Sequence, residues 1–420
     1  MRITTPPEHI VFLTKRLASE GHEVFLVGGC VRDSVMGRPV HDWDIATSAA
    51  PVDVARLFPK TVMTGERFGT IIVILRESSV EVTTFRTEGE YHDGRHPENV
   101  EFASSISEDL SRRDFTINAM AESNDGELFD PFGGLEDLRN GIIRCVGGPN
   151  TRFSEDALRM FRALRFSAQF GFEIEPDTLR AIYAGAPAAA RISAERISAE
   201  IEKTLSTQRP EIAGEMIKIG LLDRYMSVSG KNPGGLEKIA KLPCEPTLRW
   251  CAFCAVLLDK HYINTAEEFL HDMRLDKKAI KTCSHALDIH AFPRDRTEVK
   301  RLLAKNDPDV VRCAAAISDI LGEESALDIT DNAGSGAPDI TGSGVARVVS
   351  ALDITDSIIV SGECTTLGEL AITGRDLLAS GHPPGRKLGE TLNKLLDNVI
   401  ENPEHNKRET LLDIVRRLDL

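Results

Sequence analysis

In this chain of 420 residues, the triplet Asp42-Trp43-Asp44 is the first place where residue type and spacing point to chemistry. On a strand, residues i and i+2 point to one side, so the spacing brings two carboxylates to one point. Two close carboxylates repel each other unless a cation sits between them. Oxygen ligands that leave coordination positions open suit Mg²⁺, which keeps waters and takes substrate phosphates. Two such ions can hold the attacking and leaving oxygens of an in-line displacement. An Asp-x-Asp also arises as two exposed loop aspartates, so its surroundings decide its weight. Thirteen residues before Asp42 stands Gly29, in Leu26-Val27-Gly28-Gly29-Cys30-Val31-Arg32-Asp33. There a short apolar strand meets two glycines and then a helix, whose converging backbone N–H groups attract phosphate. Arg32 adds a cationic donor. Paired glycines occur in many strand-to-helix turns that bind nothing, but aspartates just downstream favour phosphate chemistry.

Three further segments add candidates. Glu81 lies in Val80-Glu81-Val82-Thr83-Thr84-Phe85, a run of apolar and β-branched residues. It is either a third carboxylate facing the same ions from a neighbouring strand or a solvent-facing residue placed by simple alternation. Ser111 to Ala121 reads as an apolar helix with a dense polar start. Arg112, Arg113 and Asp114, with Asn118 a turn later, offer contacts to a triphosphate or ribose, and arginine's planar fork suits phosphate. Asp130-Pro131-Phe132-Gly133-Gly134 is a turn. In Phe153 to Arg165, Ser154 reads as an N-cap with Glu155 and Asp156 complementing the helix start. Arg159 lies four residues after Glu155 and three after Asp156, so Glu155 can hold its guanidinium. Asp156 as acceptor beside Arg159 as donor matches the Watson–Crick edge of cytosine or adenine. Uracil and guanine present the reverse pattern. One such pair selects C and A without a nucleic-acid template.

The elements that must carry these residues follow from periodicity. Glu8 to Leu17 is an amphipathic helix after Pro6-Pro7, and Val24 to Val27 and Trp43 to Ala46 are short strands. Thr70 to Leu75 and Val80 to Phe85 form a hairpin across Arg76 to Ser79. From Ser154 onward the pattern is almost wholly helical. The fold class is therefore α+β: a head with a small mixed β-sheet and helices, then an elongated all-α body. Residues 328–344 are rich in Gly, Ser, Asp and Thr and read as a linker. Ala-Leu-Asp-Ile-Thr-Asp occurs at 326–331 and again at 351–356; two copies are too few for a repeat fold.

Composition excludes little. A formal net charge of −15 argues against nucleic acid until the local clusters are seen. Arg152, Arg159, Arg162 and Arg165 recur at helical spacing, followed by Arg191, Arg196 and Lys203. Arg386, Lys387, Lys394, Lys407, Arg408, Arg416 and Arg417 lie near the C-terminus. Solvated helix faces account for such spacing without a function. The eight cysteines are scattered singly, which suits reduced thiols and a cytoplasmic setting. Cys251-Ala252-Phe253-Cys254 lacks a second ligand pair and reads as a buried helix face. No apolar run is long enough to span a membrane, and Met1 to Pro7 does not read as a secretory signal.

The quoted segments, together with Glu195-Arg196-Ile197-Ser198-Ala199-Glu200-Ile201-Glu202-Lys203, resemble in order the class II transfer-RNA nucleotidyltransferases. These CCA-adding enzymes share their head architecture with bacterial poly(A) polymerases. The resemblance implies a catalytic nucleotidyltransferase head at 1–145, a nucleotide-selecting neck at 146–205, a body at 206–327 and an RNA-binding tail at 345–420. It places metals on Asp42 and Asp44; Glu81 remains a further catalytic candidate from its strand setting alone. Gly28, Gly29, Arg32, Arg113, Asp114, Asn118, Glu155, Asp156, Arg159 and Arg162 become candidates for nucleotide binding. The stretch Arg86 to Pro97, with Asp93, Arg95 and His96, resembles a flexible loop implicated in switching from C to A addition. Leu370 to Leu378 and Gly385 to Gly389 resemble the region that grips the transfer-RNA elbow. There Arg386 replaces the second Pro of the usual Pro-Gly-Pro. Arg196, Lys203, Arg386 and Lys387 are RNA-binding candidates. His271-Asp272 lacks the partners of a His-Asp phosphohydrolase centre.

The expected reaction is two-metal addition of CCA to transfer RNA from CTP and ATP, with two Mg²⁺ in the active complex. Neither membrane nor DNA is an expected partner. A-only or CC-only addition, or poly(A) synthesis, is the alternative within the family. A non-catalytic RNA-binding protein on this scaffold is the alternative from another class; it would make Asp42 and Asp44 dispensable.

Overall fold

The computed structural model describes residues 4–418 apart from 66–68, 76–77, 89–99, 104 and 323–348. It forms two compact units, Met1–Gly234 and Gly235–Leu420. The first holds the expected head and neck and the second the expected tail, and the expected body is divided between them.

The first unit opens with α1 (Glu8–Ser19), whose Ile10, Leu13 and Leu17 are buried at helical spacing. Then follow β1 (Val24–Val27), α2 (Gly29–Val35), β2 (Asp44–Thr47) and α3 (Pro51–Leu57). The chain continues through β3 (Thr61–Gly65), β4 (Thr70–Ile74) and β5 (Ser79–Thr84). With β6 (Arg86–Glu88), β7 (Val100–Phe102), α4 (Ile106–Ser111), β8 (Ala121–Ser123) and β9 (Leu128–Phe129), the seven-stranded sheet runs β3-β4-β5-β2-β1-β8-β9. The β2–β5 pair is parallel and its other pairings are antiparallel, so the sheet is mixed. The α+β expectation holds, and the two strands of the expected hairpin, β4 and β5, pair antiparallel.

Two expectations change here. The second strand starts at Asp44, so Asp42 lies in the irregular stretch before it rather than on the strand. Ser111 to Ala121 does not open a helix. Helix α4, capped by Ser105, ends at Ser111, and the chain then makes a single 3₁₀ turn at Thr116–Asn118 before β8. Phe115, Ile117, Ala119, Met120 and Ala121 are all fully buried. An apolar run enclosed on every side has no one-sided period to distinguish helix from extended chain.

After α5 (Gly134–Asn140) and β10 (Ile142–Ile143) come α6 (Pro149–Glu155) and α7 (Leu158–Phe170). Ser154 therefore sits in the last turn of one helix instead of capping another. The break falls at Asp156 (φ −143°, ψ 104°), whose Oδ1 accepts the Leu158 N–H at 3.0 Å. The capping chemistry read into Ser154 belongs to Asp156. The unit continues with β11 (Glu173–Ile174), α8 (Pro176–Gly185), α9 (Ala194–Leu205) and α10 (Ile212–Ile219).

The second unit has helices and no strand among its described residues: α11 (Pro246–Asp259), α12 (Ala266–Asp272), α13 (Lys277–Leu287), α14 (Arg296–Lys305) and α15 (Pro308–Leu321). After 323–348 come α16 (Ala351–Ser361), α17 (Gly374–Ala379), α18 (Arg386–Glu401) and α19 (Arg408–Leu418). Cys251 and Cys254 lie on α11 within an unbroken buried run, Leu248 to Leu257, so their spacing is a packed helix face. All eight cysteines are free thiols. The second Ala-Leu-Asp-Ile-Thr-Asp is the first turn and a half of α16, capped by Ser350. The first copy and the linker at 328–344 lie outside the described residues. Leu370, Ile372, Leu377, Leu395, Val399 and Leu411 share one apolar cluster among the last helices. No described helix is long and apolar enough to cross a membrane.

Candidate active site

Sheet register puts the acids beside the glycine turn. Asp44, first residue of β2, pairs with Val27 on one side and with Glu81 on the other. Val27 is the residue before Gly28. Laterally paired residues emerge from the same face of a sheet. Glu81 therefore stands on the strand next to Asp44, with its side chain exposed to solvent. Asp42, Asp44 and Glu81 line one cavity of about 460 Å³. Burial pushes the Asp44 carboxyl above its ordinary range, with Asp42 adding to the push and the Arg113 guanidinium offsetting part of it. No Lys or Arg lines that cavity among the described residues. Uncompensated carboxylates beside a partly buried one fit a divalent ion. Among the described residues no three His, Cys, Asp or Glu side chains stand close enough together to form a metal cage, so Asp42 and Asp44 are the residues that would hold such an ion, and Mg²⁺ commonly completes its shell with water and phosphate.

Asp44 also lines a second cavity of about 460 Å³, built mainly from arginines. Gly28 sits at its floor with φ 72° and ψ −126°. A side chain there would place Cβ 2.7 Å from Arg113 Nη1, so only glycine lets that guanidinium approach the turn. The neighbouring Gly29 has no such clash. The Arg113 Nε is buried without a partner among the described residues, a donor aimed at no protein acceptor. Arg113 Nη2 and Arg112 Nη2 both hold Asp109, at 3.2 and 2.6 Å.

A continuous network crosses the cavity. Arg32 donates to both oxygens of Asp33 at 2.9 and 3.0 Å, and its Nη1 donates to Asn118 Oδ1 at 2.5 Å. The Asn118 amide donates to Asp114 Oδ1 at 3.0 Å, and Arg162 Nε donates to Asp114 Oδ2 at 2.7 Å. Burial opposes the charged form of Asp114, but Arg162 and the Asn118 amide outweigh it and hold the carboxyl down at about 2. The 3₁₀ turn bearing Asn118 is seated by the Asp130 turn. Asp130 accepts the Gly134 and Leu135 N–H groups at 2.7 and 2.9 Å. A Cβ on Gly134 would meet Thr116 O at 2.2 Å.

On the opposite wall the Glu155–Arg159 bond forms at 2.6 Å across the α6–α7 break, not along one helix. Arg159 Nη2 also donates to the Arg112 carbonyl at 3.1 Å. Asp156 and Arg159 line the same cavity. Arg32, Arg159 and Arg165 are only 7–8% exposed, so the arginine spacing is a buried wall rather than a solvated face.

Sequence reasoning missed the brace behind this wall. Arg196 on α9 donates to Asp156 Oδ2 at 2.7 Å, and Glu200, one turn on, accepts from Arg165 Nε at 2.5 Å. Arg196 thus belongs to the site and is committed to Asp156, unlike Lys203, which is exposed. Phe166 lies beneath the Arg32, Arg162 and Arg165 guanidiniums at 3.9–5.5 Å. The i, i+4 spacing of Arg162 and Phe166 was its only sequence signal. Arg386 is exposed and paired with Glu390 at 2.9 Å; Lys387 is exposed beside it. Asp93, Arg95 and His96 lie outside the described residues.

Comparison with known proteins bears on this arrangement. A model of the Poly A polymerase head domain matches residues 24–144, and one of tRNA nucleotidyltransferase domain 2 matches 346–415. A CCA-adding enzyme of Limosilactobacillus fermentum is 37% identical, covering 95% of this chain and 94% of its own. The CCA-adding enzyme of Bacillus stearothermophilus, solved in complex with CTP, is 31% identical with a TM-score of 0.71, covering 99% of both chains. The Thermotoga maritima CCA-adding enzyme, solved with transfer RNA, is 22% identical with a TM-score of 0.64, covering 99% of this chain and 96% of its own; that likeness is one of fold.

Proposed function

The chain belongs to the CCA-adding enzymes, a family of nucleotidyltransferases, and from that premise we propose that it extends the 3′ end of transfer RNA with C, C and A, taken from CTP and ATP without a nucleic-acid template. The observation that carries the reading is the placing of an acceptor and a donor, Asp156 and Arg159, on one cavity with Gly28, Arg113 and Asp44.

The arginines of that cavity hold the triphosphate, Arg113 and Arg32 at the glycine turn and Arg162 across from them. Asn118 and Asp114 face the ribose. Asp156 accepts from the exocyclic amino group of C or A, and Arg159 donates to the adjacent ring nitrogen. Glu155 and the Arg112 carbonyl fix the Arg159 fork, and Arg196 fixes Asp156, so the pair stays in one orientation before a base arrives. Preorganised donors and acceptors of this kind discriminate because a mismatched base leaves them unpaired. Asp42 and Asp44, with Glu81 beside them, would hold Mg²⁺, which when bound polarises the attacking hydroxyl and neutralises phosphate charge. A new bond forms from the RNA 3′-oxygen to the α-phosphorus, and the bond from that phosphorus to the bridging oxygen breaks, releasing pyrophosphate.

The loop residues Asp93, Arg95 and His96 are assigned to the switch from C to A on family resemblance alone. Arg386, Lys387 and Lys203 are assigned to the RNA. Free thiols throughout suit a cytoplasmic setting. The test is incubation with transfer RNAs ending before, within and after CC, with each nucleoside triphosphate alone and then together. Stepwise C, C and A on the shortest RNA is the expected result. Growth only on RNAs that already end in CC identifies an A-adding enzyme, and unlimited A addition identifies a poly(A) polymerase.

A further inference from the structure

The two cavities that meet at Asp44 have opposite character. One is walled by guanidiniums. The other, beyond Asp42 and Glu81, is lined by two imidazoles, an indole and two serines in addition to the carboxylates. These donors come from three separate places: His9 on α1, His41 and Trp43 before β2, and Ser78 before β5. Among the described residues the buried Ser78 Oγ has no hydrogen-bond partner, and neither imidazole makes a hydrogen bond or ion pair.

A buried hydroxyl left unpaired by the protein, as at Ser78, is ordinarily satisfied by something else that the site takes, and beside it the half-buried His9 and the exposed His41 are free to donate to the same group. A nucleoside triphosphate is a poor fit as the occupant, because among the described residues no Lys or Arg lines this cavity to pair with its four charges. A group rich in acceptor oxygens but carrying little charge is not excluded. The terminal nucleotide of the RNA, with its ribose hydroxyls and one phosphodiester, has that chemistry, and Trp43 offers an aromatic face for its base.

We propose that His9, His41 and Ser78 are positioning residues for the 3′-terminal nucleotide of the RNA, donating hydrogen bonds to its ribose and phosphodiester oxygens on the side of Asp44 away from the incoming nucleotide. This rests on the reading of the arginine cavity as the triphosphate site. None of the three touches the reacting phosphate, so their loss weakens RNA seating and not nucleotide binding.

The experiment is steady-state incorporation of CMP and AMP by the full-length Mg²⁺-loaded protein, with a transfer-RNA transcript lacking CCA varied against fixed CTP and ATP, and the reverse. His41→Ala, His9→Ala and Ser78→Ala are each expected to raise KM for the RNA about 3- to 10-fold, the loss of one net hydrogen bond. KM for CTP and ATP should stay within about twofold. His41→Asn, which keeps a donor, is expected to recover part of the RNA affinity. A rise confined to the CTP and ATP KM values, or no change in either substrate for all three variants, overturns the assignment. Wild-type protein that incorporates neither nucleotide would instead overturn the reading of the arginine cavity itself.

Discussion

The arginine-lined cavity of the first unit and a smaller cavity in the second use the same side-chain chemistry to opposite ends. In the first, six arginines face three aspartates, so cations outnumber carboxylates two to one. Their guanidiniums are propped by network partners, and the Arg113 Nε is buried without a partner among the described residues. In the second, a cavity of about 280 Å³ has Lys278 and Arg312 facing Glu245, Asp276 and Asp309. There Arg312 is consumed: Nη1 and Nη2 hold Glu245 at 2.7 and 2.8 Å, and Nε holds Asp356 at 2.6 Å. Those bonds tie the starts of α11 and α15 to α16. Lys278 is likewise bound to Asp309 at 2.8 Å. An ion pair with every donor satisfied staples helices together. Buried guanidiniums that outnumber the carboxylates around them, as in the first cavity, suit an anionic ligand.

The comparison can be broken most decisively at the acids. Asp44→Ala should lower nucleotide incorporation more than about 100-fold, because losing even an outer partner of a metal ligand costs about 10- to 100-fold. Its thermal unfolding should remain close to wild type. An active Asp44→Ala protein would sink the site. Next in size, Arg159→Gln should cut discrimination of C and A against U and G by about 10- to 100-fold, at about 1.4 kcal/mol per tenfold. Competition assays with all four nucleotides would read this, and unchanged selectivity would refute the protein-template reading.

A smaller effect sharpens the electrostatic side. The Asp114 carboxyl is held at about 2, below an ordinary carboxylate near 4, so its charged form stabilises the fold. That contribution, roughly 2 kcal/mol, is fully present above pH 4 and is lost as pH falls through 2. The stability gap between wild type and Asp114→Asn, measured by urea unfolding, should therefore shrink between pH 6 and pH 2.5. A gap independent of pH would contradict the pairing with Arg162. Smallest of all, Arg312→Met in the second unit should cost about 1 kcal/mol of stability, typical of a partly exposed ion pair with good geometry. Nucleotide selectivity should be untouched, and a loss of selectivity there would erase the distinction between the two clusters.

Much of the site was legible in the primary structure because its chemistry is written locally. The glycine turn, the aspartates at 42 and 44 and the Glu155–Arg159 pair are short-range patterns whose residue types have few other uses together. What misled were boundaries. The apolar run from Phe115 to Ala121 is enclosed on all sides and carries no helical period. The polar run from Ser154 to Asp156 suited one helix start as well as a break between two helices. Arg165 and Arg196 read as parts of solvated helix faces, since their partners Glu200 and Asp156 lie 35 and 40 residues away on other elements.

From its own residues the chain determined which chemistry is available: carboxylates for a metal, guanidiniums for phosphate, and an acid–guanidinium pair matched to two bases. It also determined the alternation of strand and helix that brings a glycine turn close to Asp44. Only the tertiary structure decided how those groups are aimed. Register places Glu81 directly across from Asp44, α9 braces Asp156 from behind, and a single carboxylate divides an arginine-rich hollow from one lined with acids and imidazoles. The reason is physical. Side-chain identity is a property of one residue, whereas burial, pairing and net field at a point are sums over neighbours that the linear order does not list.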